Sequence, residues 1–265
     1  MQPDADASVE ILSIGTEVVL GRIQDTNASW LAAELSTVGA NVRRITAVSD
    51  NPLELQSVVM DMVDRGTGLV VSTGGLGPTP DDLTVDTFAR AAGCQVKQDP
   101  VALQDYRNRR GIPKGDPLPP SLKKMASVPE AAIVFVNPVG WAPAFMIRIG
   151  GMIVFAIPGP PREVEGVYDS HLGPMVRKWY GGRTLAQRIR VNMHESQVSP
   201  LLEQVMSRFP QAYLKAYVAL SDGNGLPIDI IIRRNKDTAL DEELKRVVGY
   251  LNDLVQAQGR ELTHM

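Results

Sequence analysis

The stretch Leu69-Val70-Val71-Ser72-Thr73-Gly74-Gly75-Leu76-Gly77-Pro78-Thr79-Pro80-Asp81-Asp82-Leu83-Thr84 breaks from an apolar run into glycines and then into acids. It reads as strand, tight turn, helix. Thr79 is placed to cap the helix with Pro80 at its first position, and Leu83, Val85, Phe88, Ala89 and Ala92 follow at helical spacing. The glycine turn then sits at a helix N-terminus. Bare amides there, with the partial positive charge of the helix dipole, favour a phosphate or pyrophosphate, and Gly74, Gly75 and Gly77 let the backbone come close to it.

No Gly-Lys-Ser/Thr follows the glycines, so the turn is not a P-loop. Nor is it the dinucleotide fingerprint: the third glycine is missing, and the loop follows the third predicted strand instead of the first. An ordinary strand-to-helix turn, with Asp81 and Asp82 complementing the dipole by about 0.3–1 kcal/mol each, accounts for the acids. It does not account for the glycine cluster. Each glycine costs about 0.5–1 kcal/mol relative to alanine, and one suffices for a turn.

Working outward, Val9 to Ile14 reads as a buried first strand with Gly15-Thr16-Glu17 at its carboxyl end. Thr26 or Asn27 is placed to cap a helix carrying Leu31, Leu35 and Val38. A strand from Asn41 to Val48 leads to Asp50-Asn51-Pro52, a further cap with proline in the first turn, and Leu55, Val58, Val59, Met62 and Val63 keep the helical period. Alternation of strand and helix implies α/β architecture with a parallel sheet, whose successive loops share one rim. Glu17, Asp50 and the Gly74–Asp82 loop should therefore converge.

Beyond the turn, Pro100 to Arg110 reads as a helix with a basic end, followed by a proline- and glycine-rich loop from Gly111 to Pro120. Ile133 to Val136 reads as a buried strand opening into Asn137-Pro138-Val139-Gly140-Trp141-Ala142-Pro143. Phe145 to Arg148, Gly150-Gly151 and Ile153 to Ile157 make a hairpin, and Pro158-Gly159-Pro160-Pro161 starts one helix that runs through Val176. After Gly181 the pattern changes. A strand (185–191), a helix (196–208), two strands (212–219 and 228–233, joined through Asp222-Gly223-Asn224-Gly225) and a long final helix form a small α+β unit. The division expected is 1–180 and 181–265.

Composition narrows the function. With 265 residues, 44% hydrophobic, and a net charge of −3, the chain has a real core and no basic surface suited to nucleic acid or membrane. A negatively charged ligand must be held locally. The single Cys94 excludes an internal disulfide and a cysteine-rich zinc site, and His171, His194 and His264 make a multi-histidine metal site improbable. No apolar run reaches the length of a membrane span, and Met1 to Ala7 is unlike a signal peptide, so a cytoplasmic protein is expected.

Five stretches, Gly15-Thr16-Glu17 with Gly21 to Asn27, Thr73 to Thr84, Asn137-Pro138-Val139-Gly140, Pro158-Gly159 with Glu163, and His194-Glu195-Ser196, resemble the CinA family (competence/damage-inducible protein A). The first domain of that family is shared with the molybdopterin-binding MoaB and MogA proteins. The resemblance implies a three-layer molybdopterin-binding-like domain, a small KH-like domain that nothing here marks as RNA-binding, and a homodimer. Many relatives continue into a nicotinamide-nucleotide amidase domain, which a chain ending at Met265 is expected to lack.

Relatives of the first domain are described as divalent-metal-dependent pyrophosphatases acting on ADP-ribose, and similar domains hydrolyse FAD. The resemblance thus implies a nucleotide substrate, a divalent metal (Mg, Mn or Co) and room for a monovalent cation. Splitting a diphosphate needs amides to hold the anion, a metal to take up charge and a positioned water. Amides would come from Gly74, Gly75 and Gly77, with a second set near Gly140 and Gly159. Asp81 and Asp82 are assigned to the metal, and Glu17 or Asp50 completes the shell or takes the water's proton. Asn27, Thr73, Thr84, Asn137, Pro158, Glu163 and Lys215 are the further ligand-contact candidates.

Trp141 stands where relatives usually carry a small hydroxyl residue, and Ala144 where they usually carry glycine. These departures leave a second reading open: a protein that retains a molybdopterin or nucleotide without chemistry.

Overall fold

A computed structural model describes residues 1–4, 7–182, 184–221, 225–233 and 239–264, with nothing said of the His264 side chain. The chain divides into two compact units, one of Met1–Ser36 with Ala40–Trp179, the other of Thr37–Gly39 with Tyr180–Met265.

In the first unit, β1 (Ser8–Ile14), α1 (Thr16–Val19), α2 (Thr26–Thr37), β2 (Asn41–Val48), α3 (Pro52–Asp64), β3 (Leu69–Thr73) and α4 (Thr84–Ala91) follow in order. Next come β4 (Val96–Gln98), α5 (Pro100–Arg110), α6 (Pro120–Met125), β5 (Ser127–Pro129), β6 (Ile133–Phe135), β7 (Ala144–Ile149), β8 (Met152–Ile157) and α7 (Pro161–Val167). A π-helical turn, Tyr168–Leu172, then leads into α8 (Gly173–Tyr180).

Six strands form one sheet in the order β2-β1-β3-β8-β7-β6. The pairs β1–β2, β1–β3 and β3–β8 are parallel, and β8–β7 and β7–β6 antiparallel. The hairpin read at Gly150-Gly151 is therefore present. Leu12, Val70 and Val154 share one face with Leu55, Val59 and Met62 of α3 and Phe88 of α4. On the other face Phe155 stacks on Phe135, which meets His171, and Trp30 of α2 packs edge-on against Tyr168. Helices thus cover both faces, each fully buried aliphatic or aromatic side chain contributing about 1.5–3 kcal/mol. A satellite core of Ala102, Tyr106, Leu118, Leu122 and Ala126 lies under α5 and α6, beside the β4–β5 ribbon.

Strand order places the site. The chain leaves β1 for β2 on one side and returns to β3 on the other, so the carboxyl ends of β1 and β3 flank a topological switch point, where open α/β sheets bind ligands.

Four expectations are corrected. Helix α4 starts at Thr84 with Leu83 at its N-cap, not at Thr79 and Pro80. The Asp82 carboxylate accepts from both the amide (2.7 Å) and the hydroxyl (2.5 Å) of Thr79, while the Asp82 amide donates to the Thr79 carbonyl, closing a turn that delays the helix. The helix from Thr26 is capped by Asp25, whose Oδ1 accepts from the Ala28 amide at 2.9 Å, and not by Thr26 or Asn27. The run from Ile133 to Val136 is not the buried strand expected: in β6 Ile133 is 43% exposed and Val134 and Phe135 are half-buried, and Val136 just beyond it is 44% exposed, because the run lies at the sheet edge. The helix read as continuous from Pro161 contains the π turn.

The second unit holds β9 (Thr184–Val191), α9 (Glu195–Arg208), β10 (Ala212–Ala216), β11 (Leu226–Arg233), α10 (Leu240–Ala257) and β12 (Leu262–His264). Its antiparallel sheet has the order β10-β11-β9-β12. Strand β10 ends at Ala216, short of Ala219, and gives way to a 3-10 turn at Val218–Leu220. Ile189, Ile228, Ile230 and Ile232 pack with Val198 and Val205 of α9 and Val247 and Leu251 of α10. Residues 222–224 of the connection between β10 and β11 lie outside the described residues. Among the described residues, no helix is long and apolar enough to cross a membrane.

Candidate functional site

The first-unit loops after β1, β2, β3 and β8 open onto one cleft of about 440 Å³. Ser13, Glu17, Asp25, Asn27, Asp50, Thr73, Gly74, Gly75, Gly77, Asp81, Asp82, Trp141, Pro158, Gly159 and Glu163 are among its lining.

Each loop is held by specific bonds. At the end of β3, Gly74 has φ +100° and Gly75 φ +68°. A Cβ on Gly74 would lie 2.0 Å from the Ile14 carbonyl oxygen, and one on Gly75 2.0 Å from Thr84 Oγ1, so both positions require glycine for packing as well as for backbone sign. Thr84, buried and outside the cleft lining, donates its hydroxyl to the Gly74 carbonyl (3.0 Å) and its amide to the Gly75 carbonyl (3.2 Å). Thr84, expected as a ligand contact, is thus placed behind the glycine turn, which it staples, and not among the cleft lining.

Amide accounting separates the glycines. The Gly74 amide donates to Ile157 O and the Gly140 amide to Asn137 Oδ1, so neither is bare. Among the described residues, the amides of Gly75, Leu76, Gly77 and Gly159 have no protein acceptor. The amides left for an external acceptor are therefore in the second half of the glycine turn and at Gly159, not at Gly74 or Gly140.

Asn137 and Gly140 do not line this cleft. Asn137 organises its own loop, accepting from the amides of Val139 (3.0 Å) and Gly140 (2.8 Å) and donating to Ala142 O (3.0 Å) and Glu163 Oε2 (2.6 Å). Gly140 leaves room for that carboxylate; a Cβ there would fall 2.0 Å from Glu163 Oε2. Burial pushes the Glu163 carboxyl above the usual carboxylate range, against the Asn137 bond that favours its charged form. Lys215 sits in the second unit, exposed on β10, and is not among the lining residues.

The acids tie loops together. Asp50 accepts from the Thr16 amide (2.7 Å) and hydroxyl (2.8 Å), joining the loops after β1 and β2. Asp25 accepts from Ser13 at 2.5 Å while capping α2, and Asn27 donates to Gly159 O at 2.7 Å. Asp25 was missed at the level of sequence, although an acid just before a helical run is itself a capping signal. Neither Asp81 nor Asp82 is in the first turn of α4, where Asp86 takes that place, so dipole complementation does not explain them. Glu17 is exposed, and its carboxylate lies over Gly15 without a donor among the described residues.

Among the described residues the lining contains six carboxylates, Glu17, Asp25, Asp50, Asp81, Asp82 and Glu163, and no lysine, arginine or histidine, while the Lys124 ammonium sits just behind the acid loop, donating to the Thr79 carbonyl. No three of the described His, Cys, Asp or Glu side chains gather into a ready-made metal cage. The donor set is all oxygen. It fits a hard cation of the magnesium type, which takes one or two carboxylates and completes its shell with water and ligand oxygens.

Trp141 forms part of the wall, and Ala144 does not: it is fully buried in β7. Its departure from glycine therefore puts no methyl group into the cleft.

Relatives agree with this architecture. A protein of Pyrobaculum arsenaticum is 36% identical over 78% of this chain and 78% of its own. A CinA-like protein of Desulforapulum autotrophicum is 38% identical over 76% of this chain but 49% of its own, so the chain spans about half the length of that relative. The crystal structure of the protein CinA, of unknown function, from Thermoplasma acidophilum superposes with TM-score 0.58 at 33% identity, covering 64% of this chain and 99% of that one. Residues 10–178 match the family described as a probable molybdopterin binding domain, and the chain belongs to that family as a CinA-like member.

Proposed function

We propose that the first unit is a divalent-metal-dependent hydrolase of a nucleotide diphosphate linkage, with ADP-ribose or a related dinucleotide such as FAD as substrate. One observation carries the reading: Gly75, Leu76 and Gly77, whose amides have no acceptor among the described residues, line a cleft that six carboxylates share and in which no described basic side chain takes part. Amides supply only partial charge, so a diphosphate entering this cleft needs a cation to offset six acids.

In this reading the Gly75–Gly77 amides orient the phosphoryl oxygens, and the amide of Gly159, in the loop after β8, supplies a further donor. Asp81 and Asp82, with Asp50 fixed by Thr16, offer oxygen donors to the ion. A bound divalent cation supplies charge neutralisation on the leaving phosphate. Glu17, whose carboxylate has no donor among the described residues, takes the proton of the attacking water. The soluble cytoplasmic setting and homodimer expected from the sequence belong to the same proposal.

A second reading, retention of a molybdopterin or nucleotide without turnover, is favoured by the engagement of Asp82 with Thr79 and of Asp50 with Thr16, which leaves fewer free oxygens for an ion. Purified protein with magnesium, manganese or cobalt is expected to release AMP from ADP-ribose or FAD, and the Asp81→Ala/Asp82→Ala variant to lose that release. No AMP from either compound, or equal release by wild type and variant, overturns the hydrolase. Tight calorimetric binding without turnover selects the second reading.

A further inference from the structure

We propose that Trp141 is a fixed platform on which the cleft stacks a flat aromatic ring of its ligand, so that the site selects nucleotide conjugates by their base as well as by their phosphates; this rests on the diphosphate reading above.

The ring is held in place before any ligand arrives. Tyr106 donates its hydroxyl to the Trp141 carbonyl at 2.5 Å, and its ring lies tilted against the indole at 5.6 Å between centroids. The guanidinium groups of Arg109 and Arg110 sit over the indole at 5.4 and 4.9 Å. Arg109 also donates to the carbonyls of Gly140 (2.7 Å) and Asn137 (3.2 Å) and pairs with Asp105 at 2.8 Å, which fastens the loop carrying the indole to α5. Little rotamer freedom is left to lose on binding, and that is the main cost of using a large side chain as a contact.

The wall has its own foundation. Trp141 and Met125 both pack on the satellite core under α5 and α6, and both line the cleft. Trp141 also lines the neighbouring pocket beside Tyr106, so the indole is the partition between the two, and an indole beside a polarizable thioether suits a planar heteroaromatic ring better than it suits sugar or phosphate. Size points the same way. At about 440 Å³ the cleft falls in the range that holds drug-sized ligands, well above what a bare diphosphate fills.

Calorimetry with inorganic pyrophosphate, ribose 5-phosphate and AMP, in magnesium, tests the platform on wild type, W141F and W141L; thermal melts confirm that each variant is folded. Wild type should bind AMP about tenfold tighter than ribose 5-phosphate, the scale of one base stacked on an aromatic ring. W141F should keep most of that preference, and W141L, which fills space without a flat face, should bring the two ligands within about twofold, with pyrophosphate affinity equal in all three proteins. Equal binding of AMP and ribose 5-phosphate by wild type, or an undiminished preference in W141L, overturns the platform. Pyrophosphate failing to bind, while the AMP preference and its loss in W141L persist, overturns the diphosphate reading and leaves the platform standing. Failure of all three ligands overturns both.

Discussion

Two loops at the same rim, Gly74–Gly77 and Asn137–Gly140, look alike in sequence and behave differently in the structure. In the first, glycine is required because backbone meets backbone and a threonine staple, and the amides beyond Gly74 stay unpartnered. In the second, Asn137 consumes the amides itself, and glycine is required because the Glu163 carboxylate lies where a Cβ would sit. A glycine next to a strand end is therefore no sign of a free amide until the acceptors have been counted.

The sharpest break between the loops should come from Gly75→Ala. Its positive φ and the 2.0 Å approach to Thr84 Oγ1 leave no relaxed arrangement, and urea unfolding should show a loss of about 3 kcal/mol. Gly140→Ala meets the end of a movable side chain, so about 1–2 kcal/mol is expected. Adding Glu163→Ala should recover part of it, and a double-mutant cycle that shows no coupling removes the assigned cause.

Glu163→Gln tests the burial of the carboxyl. The folded-state pKa is raised above the ordinary 4.5, so the protonated form's full stability is present below that pH and is lost as pH rises through the raised value. The variant lacks this loss. Its melting temperature relative to wild type should climb from pH 4 to pH 8, and a constant gap contradicts the assignment. Smallest in stability is Gly159→Ala: a Cβ there meets the Gly74 Cα at an ordinary 3.5 Å, so the change should stay within about 0.5 kcal/mol. It should nonetheless weaken diphosphate binding, because the methyl group is added at a lining residue whose amide has no acceptor among the described residues.

Much of this was legible in the chain. The alternation that produced β1 to α4 rests on apolar period and caps, and Asn51 with Pro52 starts α3 as read, Asn51 Oδ1 accepting from the Leu53 amide at 2.9 Å. Glu17, Asp50, Asp81 and Asp82 face one cleft because successive parallel strands end on one rim. What stayed hidden was set by long-range pairing. Nothing in Ile133–Phe135 tells an edge strand from a central one, and the short β4, β5 and β12 carry too few residues for a period to show. The backbone bonds that Thr84 and Asn137 make were hidden for the same reason: the partner a side chain takes in space is set by the folded chain.

The contact between Gly74 and the Ile14 carbonyl makes the first strand a gauge for the depth of the cleft. Ser13, one residue earlier, bonds Asp25 from the same strand end, so two neighbours fix both the floor and one side. Inserting a single residue into Ser8–Ile14 would turn Ser13 to the opposite layer and drive a side chain toward the floor at one stroke. Descendants of this chain can lengthen their surface loops freely, yet the spacing from the strand's start to its glycine-facing end has to be inherited intact.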